Sequence, residues 1–317
     1  MLTVLTKVGK NREKPRIFIE GKRLLAAGLA YEQRFDVTIT ASEIRLQRND
    51  ETGELGISKR SRRNIPYPIL DINRAGLSQF NAGVGAPIEV VISGNRIIIR
   101  TLTSQLGYVK SAKRVQSGRV LRVASLYHGL GVLDAAVRQG MAKEGLRSEL
   151  VLANEYCSKT VDVAMKKEPG AHWINGSIAE VSLQRLPDVD VAIMGPPCTA
   201  ASPQGISSKG LKKPEDDPLA GQQVVYYLSS ILAMTPAIVV IENTENYRNT
   251  ASASIVRSVL ADQGFVIDEA VLDGNDFGAL EARKRWVLVA RHQALSPYEL
   301  EITESQGCMN TLTSSPP

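Results

Sequence analysis

A chain of 317 residues with 43% hydrophobic content exceeds the roughly 250–300 residues over which one core usually grows, so two domains are expected. Three scattered cysteines, Cys157, Cys198 and Cys308, exclude a disulfide framework or a zinc cluster, so no metal is expected and a reducing cytoplasm is the natural compartment. No apolar run approaches the roughly 18 residues that span a bilayer, and the first residues lack the apolar core of a signal peptide, so no membrane partner is expected.

The formal net charge of +5 conceals an asymmetry: residues 1–115 hold 20 Lys and Arg against 10 Asp and Glu, whereas residues 116–317 hold 18 against 23. A positive front half suits a polyanion, with phosphates the leading target. Its densest point, Lys59-Arg60-Ser61-Arg62-Arg63, reads either as a mobile basic arm or as a flexible surface loop.

Residues 1–105 also contain a repeat. At a spacing of 53, Ile19 matches Ile72, Leu24 matches Leu77, Phe35 matches Ile88, Val37 matches Val90, Ile39 matches Ile92, Ile44 matches Ile97 and Leu46 matches Ile99. Each copy reads as a short strand, a polar helix-like middle and two alternating β runs, at 35–40 and 43–47 and again at 88–93 and 96–101. The second pair of runs is joined at Ser93-Gly94-Asn95, which suits a tight hairpin. Neither copy has enough core alone, which predicts one intertwined β-barrel, an internal pseudodimer within a monomeric chain. Over about residues 15–102 the pattern resembles the swapped-hairpin DNA-binding domains of the AbrB and SymE type, which implies that this basic domain meets DNA.

Residues 106–117 read as a connector. From Gly118 to about residue 295 the texture changes to apolar strands alternating with helices, as in a doubly wound sheet. Strand 120–126 runs into Tyr127-His128-Gly129-Leu130-Gly131 and a helix at 132–140, a turn that lets backbone approach a ligand. Strand 149–153 ends at Asn154-Glu155, where an acid is placed to accept ribose hydroxyls; a capping or solvent-facing acid is the alternative. A short strand and turn at 173–178 follow. The apolar run 189–194 then stops at Gly195-Pro196-Pro197 and presents Cys198, since prolines cannot donate to a ladder. Loop 199–218, with Lys209, Lys212 and Lys213, reads as a cationic lid. Helix 219–234, strand 237–241 ending at Glu242-Asn243, and a hairpin of strands 265–272 and 285–290 complete the domain. Residues 296–317 read as a disordered tail.

Gly-x-Gly, Asn-Glu, Gly-Pro-Pro-Cys, Glu-Asn and Gly-x-x-Glu-x-Arg-x-Arg occur in that order over about residues 118–292. The series resembles the catalytic domain of DNA (cytosine-5) methyltransferases. The resemblance implies a Rossmann-like S-adenosylmethionine-dependent methyltransferase fold with a mostly parallel sheet and an antiparallel edge, acting on double-stranded DNA. Cys198 would be the nucleophile, Glu242 the acid at the base, and Arg283 and Arg285 substrate-side donors. Tyr127, His128, Gly129, Gly131, Glu155, Ser177 and Pro196 would form the cofactor side, with His128 equally suited to packing. Lys209, Lys212 and Lys213, together with Lys59, Arg60, Arg62 and Arg63, would meet DNA.

The chemistry explains these residue types. Cytosine C5 becomes nucleophilic once a thiolate adds at C6, a carboxyl at N3 favours that addition, and an arginine holds charge developing on O2. The base lies inside a duplex stack and must be flipped out. Ser125 and His128, Ser177 and Glu281 depart from the family pattern. Few residues follow the Arg-x-Arg strand, so DNA recognition is expected from residues 1–105, and a connector helix is considered as a substitute for a missing cofactor-side element. A cytosine-5 methyltransferase acting on RNA, and a noncatalytic DNA-binding regulator, remain alternatives. In a bacterial or phage-encoded setting the protein would be nucleoid-associated and would serve restriction-modification or a related role.

Overall fold

The computed structural model describes residues 1–295 except Glu13, Arg63, Arg74, Asn81 and the stretches 198–206, 208–209, 211–212, 218–219 and 279–282. The chain divides into two compact units, Met1–Leu106 and Gly107–Pro317. The expected tail, 296–317, lies outside the described residues.

The first unit is built of β1 (Leu2–Lys7), β2 (Gly9–Asn11), β3 (Lys14–Glu20), a one-turn helix α1 (Arg23–Ala26), β4 (Arg34–Ile39), β5 (Glu43–Arg48), β6 (Leu55–Gly56), β7 (Ser58–Arg62), β8 (Ile65–Ile72), a 3₁₀ turn (Ala75–Gln79), β9 (Pro87–Ser93) and β10 (Arg96–Thr101). They form a six-stranded sheet in the order β1-β9-β10-β5-β4-β6 and a four-stranded sheet in the order β2-β3-β8-β7. Alternating residues of both sheets turn inward onto one core. Ile17, Leu24, Phe35, Ile44, Leu46, Leu70, Ile72, Leu77, Ile97 and Ile99 are all at most 1% exposed.

The two copies pair reciprocally. Ile44 faces Ile99 and Leu46 faces Ile97, while Ile17 faces Ile72 and Ile19 faces Leu70. Each pairing maps onto itself when 53 is added to one partner and subtracted from the other, which is an internal twofold passing near Arg45/Ile98 and Phe18/Asp71. Gly94, at φ 54°, makes the two-residue turn between β9 and β10.

The basic run corrects the expectation of an arm or loop. Lys59, Arg60 and Arg62 belong to β7, which pairs with β8 through Lys59↔Pro68, Arg60↔Tyr67 and Arg62↔Ile65; Arg63 lies outside the described residues. Backbone hydrogen bonds to a neighbouring strand fix this segment whatever its side chains prefer.

The second unit begins within helix α2 (Thr103–Gln116). Residues 106–117, expected as a connector, are therefore mostly helical. Tyr108, fully buried, stacks on His292 at 4.7 Å and meets Phe265 edge-on at 5.4 Å. A Cβ at Gly107 would collide with the Thr235 side chain, so only glycine lets the helix approach there. Ser111 Oγ accepts from Ala237 N–H at 2.8 Å, and Arg114 Nε lies 2.9 Å from Oδ1 of the fully buried Asp190. Asp190 and Ala237 precede two parallel strands, so α2 docks at the end of the sheet where those strands begin. The idea that it substitutes for a cofactor-side element is not met.

Strands β11 (Leu121–Leu126), β12 (Ser148–Glu155), β13 (His172–Asn175), β14 (Val191–Met194), β15 (Ile238–Thr244), β16 (Phe265–Asp273) and β17 (Lys284–His292) form a seven-stranded sheet in the order β13-β12-β11-β14-β15-β17-β16. The first five are parallel, and β17 and β16 form an antiparallel edge. Helices α3 (Val132–Lys143), α4 (Ser158–Ala164), α5 (Gln223–Met234) and α6 (Ala251–Asp262) connect them. The strand order reverses between β11 and β14. Open sheets of this kind hold ligands outside the carboxyl ends of the strands at such a switch point.

Candidate active site

The glycine turn follows β11 at the switch point. Gly129 and Gly131 adopt φ of 57° and 80°, and Tyr127 is also left-handed at φ 55°, an uncommon conformation for an aromatic residue. A Cβ at Gly131 would lie 2.6 Å from His128 Nε2, so the turn needs glycine there, while beyond Gly129 the space is open. His128 is turned into the protein: its Nδ1 lies 2.9 Å from Ser125 Oγ, its ring meets Trp173 edge-on at 5.0 Å, and burial pushes its pKa down. Ser125 therefore props the turn through His128, whose ring packs inside it.

Glu155, at the end of β12, accepts Gly129 N–H at 2.9 Å on one oxygen and Cys157 N–H at 2.9 Å on the other. It braces the two loops and keeps a second lone pair on each oxygen for a ligand hydroxyl. Ser177 caps the 3₁₀ turn Ile178–Glu180 by accepting Ala179 N–H at 3.2 Å. Leu130, Val132 and Tyr156 stand exposed around this mouth, Tyr156 at 77%.

Across the switch point β14 and β15 run in register, with Met194 beside Ile241, so that Gly195 turns off the end of β14 level with Glu242, while β15 continues to Thr244 against β17. A Cβ built on Gly195 would meet Glu242 Oε2 at 3.6 Å. Asn243 is buried, donates from Nδ2 to the Pro196 carbonyl at 2.9 Å and accepts Thr244 N–H at 2.8 Å. The Glu-Asn pair thus does two things: Asn243 pins the Gly-Pro-Pro turn and Glu242 faces it. Cys198, with Lys209 and Lys212, lies outside the described residues; Lys213 is exposed before the 3₁₀ turn Pro214–Asp216.

Arg285 Nε lies 2.7 Å from Glu242 Oε1, because β17 runs antiparallel beside β15. Arg283 is exposed two residues before it. Burial pushes the Glu242 carboxyl up, and the Arg285 and Arg283 charges oppose that shift without cancelling it. The result is a half-buried acid held near a strand end, beside a turn that leads to a cysteine.

Three residues of this region were not singled out from sequence. Asn243 stands out in the sequence only as half of the Glu242-Asn243 pair. Gln223, on α5, accepts the Tyr127 hydroxyl at 2.8 Å and ties the glycine turn to that helix. Glu215 accepts from Ser252 N–H at 2.8 Å and Ser252 Oγ–H at 3.0 Å, anchoring the 3₁₀ turn Pro214–Asp216 to α6. A residue pattern carries no signal for either contact, because both join segments distant in sequence through the packing of the helices.

Residues 121–313 match the family described as C-5 cytosine-specific DNA methylase. The chain is 26% identical over 183 residues to the Type II methyltransferase M.Bsp6I of Bacillus sp. (strain RFL6), covering 57% of this chain and 55% of that protein. It is 24% identical over 178 residues to the mouse tRNA (cytosine(38)-C(5))-methyltransferase, covering 55% and 40%. The Entamoeba histolytica methyltransferase EhMeth shares the fold at a TM-score of 0.50 and 17% identity, covering 59% of this chain and 57% of that one. The chain spans about half the length or less of the curated relatives it matches.

Proposed function

Because the chain belongs to the C-5 cytosine-specific DNA methylase family, we propose that it methylates C5 of cytosine in double-stranded DNA, with residues 107–295 holding the reaction and residues 1–106 holding the duplex. The observation that carries this reading is the adjacency of Gly195-Pro196 and Glu242-Asn243 at neighbouring strands, where Asn243 holds the Pro196 carbonyl and the Glu242 carboxyl faces Gly195.

The methyl donor of this family is S-adenosylmethionine, which supplies a sulfonium-bound, electrophilic methyl group. The residues fit it: the glycine turn leaves open space beyond Gly129, Glu155 keeps lone pairs for ribose hydroxyls, and Tyr156, Leu130 and Val132 offer exposed apolar surface for an adenine.

Cys198, directly after the pinned turn, supplies the thiolate that adds to C6 of a flipped cytosine. Glu242 holds a proton at N3, a role that its burial-raised carboxyl suits, and drawing electrons toward N3 lets C6 accept the sulfur. The addition leaves C5 electron-rich. Arg285 fixes the orientation of the Glu242 carboxyl, and Arg283, two residues earlier, is assigned in this reading to hold charge on O2.

The likeness to a tRNA methyltransferase supports a second substrate, and one experiment separates the two. Labelled S-adenosylmethionine is supplied with duplex DNA and with tRNA, to the protein and to Cys198→Ala. Cys198-dependent label in DNA is expected. Label in tRNA alone would move the activity to RNA, and no Cys198-dependent label in either would remove the enzyme reading. DNA carrying 5-fluorocytosine should leave a covalent adduct at Cys198, visible as added intact mass, because fluorine cannot leave C5 as a proton does.

A further inference from the structure

The two hairpins that the internal twofold relates are both basic, although their charges stand at different positions of the two copies. Strands β3 and β8 pair at the centre of the four-stranded sheet, and each is preceded by a partner strand, β2 or β7, in a hairpin. Because β3 and β8 are antiparallel, the two hairpin turns lie at opposite ends of that sheet. Both turns contain a left-handed non-glycine residue, Arg12 at φ 45° and Asn64 at φ 62°.

The sequence of each hairpin is strongly basic. Residues 7–16 hold five Lys and Arg and one carboxylate, and residues 58–69 hold four and none, so each carries a net charge of +4. On the outward face between them, Arg16 neutralises Asp71 through bonds of 2.8 and 2.6 Å, and Arg60 lies 3.5 Å from Glu20. Arg12 and Lys14 are exposed and have no ion pair among the described residues; with Asn11, Asn73 and Ser78 they line a cleft of about 710 Å³ beside the 3₁₀ turn Ala75–Gln79. The paired carboxylates thus leave the positive excess at the two turns.

We infer that these two hairpins are a paired phosphate clamp for duplex DNA, each turn meeting the backbone once on either side of the internal twofold. This rests on the reading that the chain acts on DNA and names the surface that holds it. The register Phe18↔Asp71 puts Lys14 and Ile65, which border the two turns, four and six positions from the centre. At about 3.3 Å per residue these positions stand roughly 33 Å apart, close to the roughly 34–36 Å of one B-DNA turn. The phosphate backbone of a duplex has local twofold symmetry, so a symmetric pair of cationic turns matches it without reading bases.

The test is the salt dependence of binding by the full-length chain to a 20-base-pair duplex, a 10-base-pair duplex and a 20-base-pair RNA duplex. Neutralising one hairpin (Arg12→Gln with Lys14→Gln) or the other (Arg60→Gln with Arg62→Gln) should each reduce the slope of log affinity against log salt by about 2, and both together by about 4. On the 10-base-pair duplex the unmutated chain should show the slope of a single-hairpin variant. Unchanged slopes on the long duplex, an effect from one hairpin only, or tighter binding to the RNA duplex would each overturn the clamp. Thermal melts establish that the variants keep their fold. Methyl transfer measured in parallel at saturating DNA separates the two claims: transfer with unchanged slopes rejects the clamp alone, whereas altered slopes without transfer in the unmutated chain reject the catalytic reading alone.

Discussion

The two units place their information differently. In the second, the residues of the candidate site are neighbours in sequence, Tyr127 to Gly131, Glu155, Gly195 to Pro197, and Glu242 with Asn243, each group at the end of one parallel strand. In the first, the meaningful relations are between residues 53 apart, such as Ile44 with Ile97 and Leu46 with Ile99, and no short motif exists. A parallel sheet gathers loops at one edge, so chemistry concentrates there. A twofold fold spreads its features over two equivalent places.

The sharpest way to test that contrast is at the acid. Glu242→Gln keeps size and hydrogen bonding but removes the titrating proton, and is expected to lower the rate of methyl transfer about 10²- to 10⁴-fold with DNA affinity unchanged. Replacing Arg285 with Met removes the charge that holds the Glu242 carboxyl down, so that carboxyl should rise further. Since the proposed reaction uses the protonated form, the alkaline limb of the rate profile should move to higher pH. A limb that stays in place would show that Glu242 is not the group titrating.

Core truncation probes the first unit instead. Phe35 is fully buried in a core drawn from both copies, and Phe35→Ala should cost about 3–5 kcal/mol and unfold both copies in one transition while methyl-donor binding persists. Two separate transitions within residues 1–106 would break the shared-core account.

Acid should act on the second unit alone through histidine, because His128, His172 and His292 all lie there. His292 is 3% exposed, its Nδ1 accepts Ala294 N–H, and its Nε2 faces the Gln263 carbonyl, so burial lowers its pKa to about 4 from 6.5. The folded value lies below the unfolded one, so protonation favours the unfolded chain. Stability is therefore full above about pH 6.5 and falls by about 3 kcal/mol as pH drops toward 4. Denaturant melts of His292→Gln against the unmutated chain at pH 7, 5.5 and 4 check this; equal slopes with pH would exclude His292 as the cause.

The smallest expected effect is at Asn243. Asn243→Ala leaves the Pro196 carbonyl without its donor and should cost about 1–3 kcal/mol, with a larger loss in the transfer rate than in DNA affinity.

The strands and helices of the second unit follow from apolar runs bounded by Gly, Pro and acid–amide pairs, which is why β11, α3, β14 and β15 were legible within a few residues. The contacts that make them a site were less so. Asn243 could be seen, but not the carbonyl it holds; Gln223 gave no sign, because its partner is set by packing of α5. In the first unit the alternation of Phe35, Val37 and Ile39 marked β4, and the 53-residue spacing marked the copies. The strand identity of Lys59 to Arg62 was hidden, because a partner strand imposes it on residues whose charges read as a solvated loop.

The reciprocal pairing of β3 with β8 and of β5 with β10 joins two copies that one chain already contains. Their association is therefore a unimolecular step, insensitive to dilution, and never waits on a second molecule. A dimer of identical subunits must accept every substitution twice; here each copy mutates alone. That freedom is already used where Lys14 occupies the position that Tyr67 takes in the other copy, and Arg45 the position of Ile98.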